Sequence, residues 1–257
     1  MDFVQYANPR SFQPMTGRAV VSVLACAVVP LLFAQEPLHL KPTGWVSVQV
    51  PEPSDMVFTS TGSLLVVSDN GHVAEIATDG SVIRMAEDIG YDLEALCVQR
   101  GEWIAVDERA RQLIWLDSAD LRVIRRLTVP YAGGRNKGYE ALVWNPVKER
   151  YLLITEREPV YVFELDAEWR VTSEQVFDRQ VRDIASATWH DGAVWLLSDM
   201  DRLVLRCDPA DLRITHRYVV PVINPEGLAF DKNGILLVLS DDRQRIYSFQ
   251  LPSALSQ

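Results

Sequence analysis

Five times along this chain a short apolar run is followed, about 15 residues on, by a second apolar run that closes in an acidic residue. The pairs are SDMVF with LLVVSD (Ser54 to Asp69), EALCV with WIAVD (Glu94 to Asp107), EALVW with YLLITE (Glu140 to Glu156), ASATW with VWLLSD (Ala185 to Asp199) and EGLAF with ILLVLSD (Glu226 to Asp241). Successive first positions stand 40, 46, 45 and 41 residues apart, close to the period of a four-stranded propeller blade. Helical repeats of that length need apolar residues three and four apart. These runs instead alternate or are continuous over a few residues rich in Val, Ile, Leu, Trp and Tyr, as strands are. The expectation is an all-β, five-bladed β-propeller, with six blades as the alternative count.

The two ends of the repeat array carry the closure. In the last repeat, Glu226 to Phe230 reads as the innermost strand, Asp231 to Gly234 as a hairpin turn, Ile235 to Ser240 as the second strand and Arg245 to Leu251 as the third, with no fourth behind it. A spare strand, Trp45 to Val50, precedes the first repeat. Pairing the two completes a blade and removes an open sheet edge. Asp69-Asn-Gly71, Asp79-Gly80, Asp191-Gly192 and Asn233-Gly234 fall between apolar runs, where residues tolerating positive φ are wanted. The longest insertion, Tyr131 to Gly138, runs straight into Glu140 and reads as a long connection or a rim loop.

Ahead of the repeats, residues 19 to 34 form an uncharged apolar run after Arg18 and end at Ala34 before Gln35-Glu36-Pro37. This is the pattern of an export signal, with an uncleaved anchor as the alternative, although Pro30 and the short length argue against a membrane span. The expected organisation is a signal peptide or anchor over 1–34, a linker over 35–44 and one propeller over 45–257, placed in the periplasm or outside the cell. A formal charge of −10 without a basic cluster excludes nucleic acid as a natural partner and leaves membrane contact to the amino-terminal segment. Cys97 and Cys207 fall on strands of different repeats and read as small apolar residues.

In a propeller the innermost strands line a central channel, and each hairpin returns the end of the second strand beside the start of the first. Ser54, Glu94, Glu140, Ala185 and Glu226 are then expected on one face of the channel, with Asp69, Asp107, Glu156, Asp199 and Asp241 slightly further out. Strand alternation places Glu52, Asp92, Gly138, Asp183 and Asn224 on the same side as the inner set. Carboxylates this close raise one another's pKa unless a cation sits among them. The metal candidates are Glu94, Glu140, Glu226, Asp92 and Asp183, and an all-oxygen set points to calcium before magnesium. His39, His72, His190 and His216 show no ligand spacing, and His190 reads as a turn residue. No Gly-x-Ser-x-Gly elbow is present, so an enzyme here would use metal-activated water with Asp183 or Asp199 as base.

Asp92-Leu-Glu-Ala-Leu, Val106-Asp-Glu-Arg109, Asn136-Lys-Gly-Tyr-Glu-Ala-Leu142, Leu196-Leu-Ser-Asp199 and Pro225-Glu-Gly-Leu-Ala-Phe-Asp231 together resemble the SdiA-regulated family of exported propellers, from about Trp45 to Leu251. The resemblance implies a calcium-associated propeller and associates Asn136 to Glu140, Asp92 with Glu94, and Asp107 to Arg109 with the channel face; the expected ligand-binding residues are Asn136, Arg109 and Asp107, with Asn224 from the strand-alternation set. Ala95 and Ala141 stand where that family tends to have glycine. The functional expectation is a binding or sensing module for a small molecule or protein. The alternatives are a calcium-dependent hydrolase, since the Glu-Gly and Asn-Pro-Glu phrases are also similar to phytase-like, lactonase and gluconolactonase propellers, and a protein-docking scaffold.

Overall fold

The computed structural model describes residues 36–130, 138–157 and 159–252. Among them the regular structure is entirely β. After β1 (Leu38–His39) and β2 (Pro42–Ser47), the first blade is β3 (Pro53–Phe58), β4 (Leu64–Ser68), β5 (Val73–Ile76) and β6 (Val82–Ala86). The second is β7 (Leu93–Gln99), β8 (Glu102–Asp107), β9 (Gln112–Leu116) and β10 (Val123–Thr128). The third is β11 (Tyr139–Asn145), β12 (Arg150–Thr155), β13 (Tyr161–Leu165) and β14 (Val171–Val176), and the fourth is β15 (Ser186–His190), β16 (Ala193–Ser198), β17 (Leu203–Cys207) and β18 (Ile214–Val219). The fifth has only β19 (Pro225–Phe230), β20 (Leu236–Ser240) and β21 (Arg245–Phe249) from its own stretch of chain.

The fifth blade is completed from the amino-terminal side. Strand β2 pairs antiparallel with β21, Trp45 opposite Tyr247 and Val46 opposite Ile246, so the ring has five blades. The stretch expected to be a linker is partly strand: β2 starts at Pro42, and Leu38–His39 lies parallel to Tyr218–Val219 at the outer edge of the fourth blade. An outer strand leaves a row of N–H and C=O groups unpaired, and the incoming chain uses them before crossing to the fifth blade.

The second strands are apolar through their middles because both faces are covered by neighbouring blades. Leu64–Ser68 and Ala193–Ser198 are buried at every residue, whereas the outer strand Val171–Val176 is exposed at every residue. Five apolar clusters result, one for each junction between adjacent blades; the junction of blades four and five packs Trp195, Leu197 and Tyr218 against Leu228, Val238 and Phe249. The hairpin at Asp191-Gly192 has φ of 43° and 69°, the double positive-φ turn whose twist matches its flanking strands.

One buried acid ties four blades together around the axis. Asp55, 3% exposed, accepts the Leu96 amide of the second blade at 2.8 Å and the Ser186 hydroxyl of the fourth at 2.8 Å. That hydroxyl oxygen in turn accepts the Leu228 amide of the fifth at 3.1 Å. Burial pushes the Asp55 carboxyl up to about 7, against the pull of these hydrogen bonds. Because the folded chain holds that proton more tightly than the unfolded one, the contribution of Asp55 is full at low pH and falls as pH rises through about 7. Asp55→Ala leaves the Leu96 amide unpaired and is expected to cost about 2–4 kcal/mol in denaturant unfolding. Asp55→Asn keeps the shape and is expected to flatten the fall in stability between about pH 4 and 7; an unchanged pH dependence would contradict this role.

Candidate functional site

At the start of four inner strands the ladder register slips by one residue. Pro53 pairs with Ser68 but Asp55 with Val67, and the same shift separates Leu93 from Ala95, Tyr139 from Ala141 and Pro225 from Gly227. The extra residues in these β-bulges are Ser54, Glu94, Glu140 and Glu226. In the fourth blade Ala185 takes the equivalent place, its amide donating to Leu197 O at 2.9 Å while Ser186 pairs with the same residue. A bulge bends its strand and re-aims a side chain. The inner set predicted by repeat spacing is thus the set of bulge residues, released from strict strand alternation.

The register also defines the outer set. Ser68, Asp107, Thr155, Ser198 and Ser240 are equivalent last residues of the second strands, and the residues after them are Asp69, Glu108, Glu156, Asp199 and Asp241. All five are acidic. The second-blade member is therefore Glu108, and Asp107, expected at the channel face, stands one position earlier. Asp107 is fully buried and its two carboxylate oxygens accept the amides of Tyr91 and Ala110, both at 2.8 Å. It is a turn cap. The run WIAVD is followed directly by Glu108, so matching its Asp to the final Asp of LLVVSD shifts the alignment by one; in a strand, one residue moves a side chain to the other face.

Glu108 joins the two closest groupings of oxygens. One carboxylate oxygen each from Asp92, Glu94 and Glu108 lie within 4.8 Å of one another, as do those from Glu108, Glu140 and Glu156. Glu108 Oε1 also accepts the Gly138 amide at 2.7 Å. A Cβ on Gly138 would sit 2.4 Å from Glu108 Cγ and 2.7 Å from its carbonyl oxygen, so the approach of the second and third blades needs glycine there. This sequence feature was legible only as a missing acid in the row of Glu52, Asp92, Asp183 and Asn224.

Electrostatics follow from crowding and burial. Burial, reinforced by Asp69, Asp92, Glu226 and Glu108, holds Glu94 well above the usual carboxylate range. Burial and the charges of Glu94, Glu108, Glu156 and Glu226 do the same to Glu140. Glu226 is pushed up to about 8, by burial and then by Asp199, Asp69, Asp241 and Asp183, and Asp241 to about 6, by burial and then Glu52, Asp69 and Asp242. The three inner glutamates thus feel one another across the channel, although Glu226 stands outside the two tightest groupings.

The remaining predicted residues divide. Asp92 joins the cluster, and Arg109 Nη2 stands 3.4 Å from Asp92 Oδ2 with its side chain largely in solvent. Asp183 is buried and turned to its own hairpin, accepting the Ser198 hydroxyl and the amides of Asp199 and Met200 at 3.0 and 3.1 Å. Asp199 is raised, by burial first and the Asp183 charge second. Asn224 has φ of 41°, and its carbonyl accepts the Asp241 amide at 3.2 Å; its contribution visible here is backbone geometry. Asn136 lies outside the described residues. Glu108 falls within the stretch Asp107 to Arg109 that the family resemblance associates with the channel face, but it is not among the expected metal ligands; Asp55 is not singled out from sequence, and its signal is an aspartate opening the otherwise apolar run DMVF.

Comparison with known proteins agrees with this architecture. The structure is similar to the glutaminyl cyclase of Myxococcus xanthus, with a TM-score of 0.68, 13% identity, and coverage of 84% of this chain and 98% of that one. It is also similar to the β-propeller domain of Cps50 (Swd1) from Myceliophteria thermophila, with a TM-score of 0.54, 9% identity and coverage of 81% and 100%. For a streptogramin B lyase the TM-score is 0.50 at 12% identity, covering 82% of this chain and 73% of that one. At these identities the likeness is one of fold. The family model described as SdiA-regulated matches residues 51–250, the whole span from the first inner strand to the last blade, and the chain belongs to that family.

Proposed function

We propose that the acidic mouth of the channel binds a hard divalent cation, calcium before magnesium, and that the protein is an exported binding or sensing module presenting this cation to a small-molecule or protein ligand. The observation that supports it most directly is Glu108, whose carboxylate belongs to two triplets of oxygens drawn from the second and third blades. The donors are all carboxylate oxygens, the chemistry calcium prefers, and no histidine or cysteine stands among them. Asp92, Glu94, Glu108, Glu140 and Glu156 would hold the ion. Its charge would offset the repulsion that keeps Glu94 and Glu140 above their ordinary range. The apolar run of residues 19–34 supports the exported placement as a sequence pattern.

A calcium-dependent hydrolase is the second reading. The observation in its favour is the raised carboxyl of Asp199, a candidate base; Asp183, the other candidate, is engaged with its hairpin. The binding reading expects no calcium-dependent turnover of p-nitrophenyl esters or phosphodiesters, and turnover abolished by Asp199→Asn would replace it with the hydrolytic one.

Two measurements test cation binding. Calcium at about a hundredfold excess over its Kd is expected to raise the melting temperature by roughly 5–10 °C. Glu108→Gln and Gly138→Ala are each expected to weaken calcium binding in calorimetry by at least about tenfold, the first by removing a shared donor charge and the second by displacing it. In the cation-free protein, Glu94, Glu140 and Glu226 hold protons more tightly folded than unfolded, so stability falls as pH rises from about 4 to 8. Calcium competes with those protons, and its stabilising shift is expected to be larger near pH 8 than near pH 6. Equal calcium response in wild type and Glu108→Gln would rule out this site.

A further inference from the structure

The inner strands carry a second periodic feature, at the end of the channel away from the acids. Each runs from its bulge residue to a position four residues on: Phe58, Val98, Trp144, Trp189 and Phe230. Four of these five are aromatic, and all five line one cavity of about 250 Å³ at which the inner strands of every blade converge. Among the described residues no carboxylate, lysine or arginine lines it; the polar groups are Gln99, Thr188 and His190. Between this cavity and the acidic mouth lies the buried bond from the Ser186 hydroxyl to Asp55.

The aromatic wall is ordered by its own contacts. The His190 ring stacks on Phe230 with centroids 3.9 Å apart and planes within 6°, and the His190 carbonyl accepts the Trp195 indole N–H at 3.0 Å. The Arg100 guanidinium covers the Trp144 ring at 4.4 Å, and Tyr151 packs against the same indole at 4.7 Å. Trp189, Phe58 and Phe230 remain partly exposed at the opening, where a strand end in contact with water would otherwise carry polar residues. Burial holds His190 below its ordinary range, leaving a neutral ring that can donate or accept one hydrogen bond.

We propose that this end of the channel is a binding site for an uncharged aromatic compound of one or two fused rings, its faces against Trp189, Phe230 and Phe58 and its polar atom directed to Gln99, Thr188 or His190. An apolar cavity of about 150 Å³ suffices for benzene, so the space here matches one larger ring system. A charged ligand would lose its hydration with no opposite charge among the described lining residues to replace it, the nearby Arg100 guanidinium being engaged on the Trp144 ring. The site is independent of cation binding at the acidic mouth.

The test uses the full chain and 2-naphthol as probe, followed by calorimetry and by tryptophan fluorescence. Saturable one-to-one binding is expected, with 2-naphthoate at least about tenfold weaker. Thr188→Trp fills the cavity and Trp189→Ala removes part of its wall; each is expected to weaken 2-naphthol by at least about tenfold. Glu140→Gln, at the far mouth, is expected to leave 2-naphthol binding unchanged, so this site and the cation site fail separately. The proposal is overturned by no saturable binding, by binding that survives Trp189→Ala in a protein with wild-type circular dichroism, or by equal affinity for the naphthoate. Should Thr188→Trp not fold, Trp189→Ala, at a partly exposed position, decides the matter.

Discussion

Antiparallel pairing of Pro42–Ser47 with Arg245–Phe249 is the contact on which everything else in this molecule depends. It joins the two ends of the repeat array, and a closed ring forces five inner strands to run side by side around one axis. Without it the fifth blade would keep a bare edge and the wedge of apolar side chains between blades five and one would have no reason to stay shut. With it, residues tens of positions apart in the chain meet at both channel ends, and Asp55 can bridge to the second and fourth blades at once.

Convergence has a cost that the fold meets in two ways. Polar and charged groups brought to an axis lose water, and acids of one sign also repel. In the middle of the channel Asp55 is supplied with donors from two other blades, the Leu96 amide and the Ser186 hydroxyl. At the acidic mouth burial and one another's charges keep the carboxyls of Glu94, Glu140 and Glu226 raised, while Asp107 and Asp183 accept backbone amides. The difference separates acids that hold hairpins from acids that face one another across the mouth. At the opposite end, the same strands present rings rather than charges, so one channel offers two chemically distinct openings.

Much of this was legible from spacing. The repeat period, the number of blades, the orphan strand near Trp45 and the convergence of Glu94, Glu140 and Glu226 all follow from period-two apolar runs recurring at blade length. The exchange of Glu108 for Asp107 was not, because a strand's last residue and the one after it differ by a flip of face that repeat matching of WIAVD to LLVVSD slides past. Nor could spacing tell that Gly138, which looks like a gap in the acidic row, makes room for Glu108.

By itself the sequence determined the architecture and the acidic character of one channel face, because the burial of apolar faces at a regular period leaves few ways to pack and places each repeat's acids at equivalent heights. Tertiary structure alone decided which carboxylates are capped and which are left facing one another, since that depends on bulges of a single residue and on which backbone amides a neighbouring blade brings within about 3 Å.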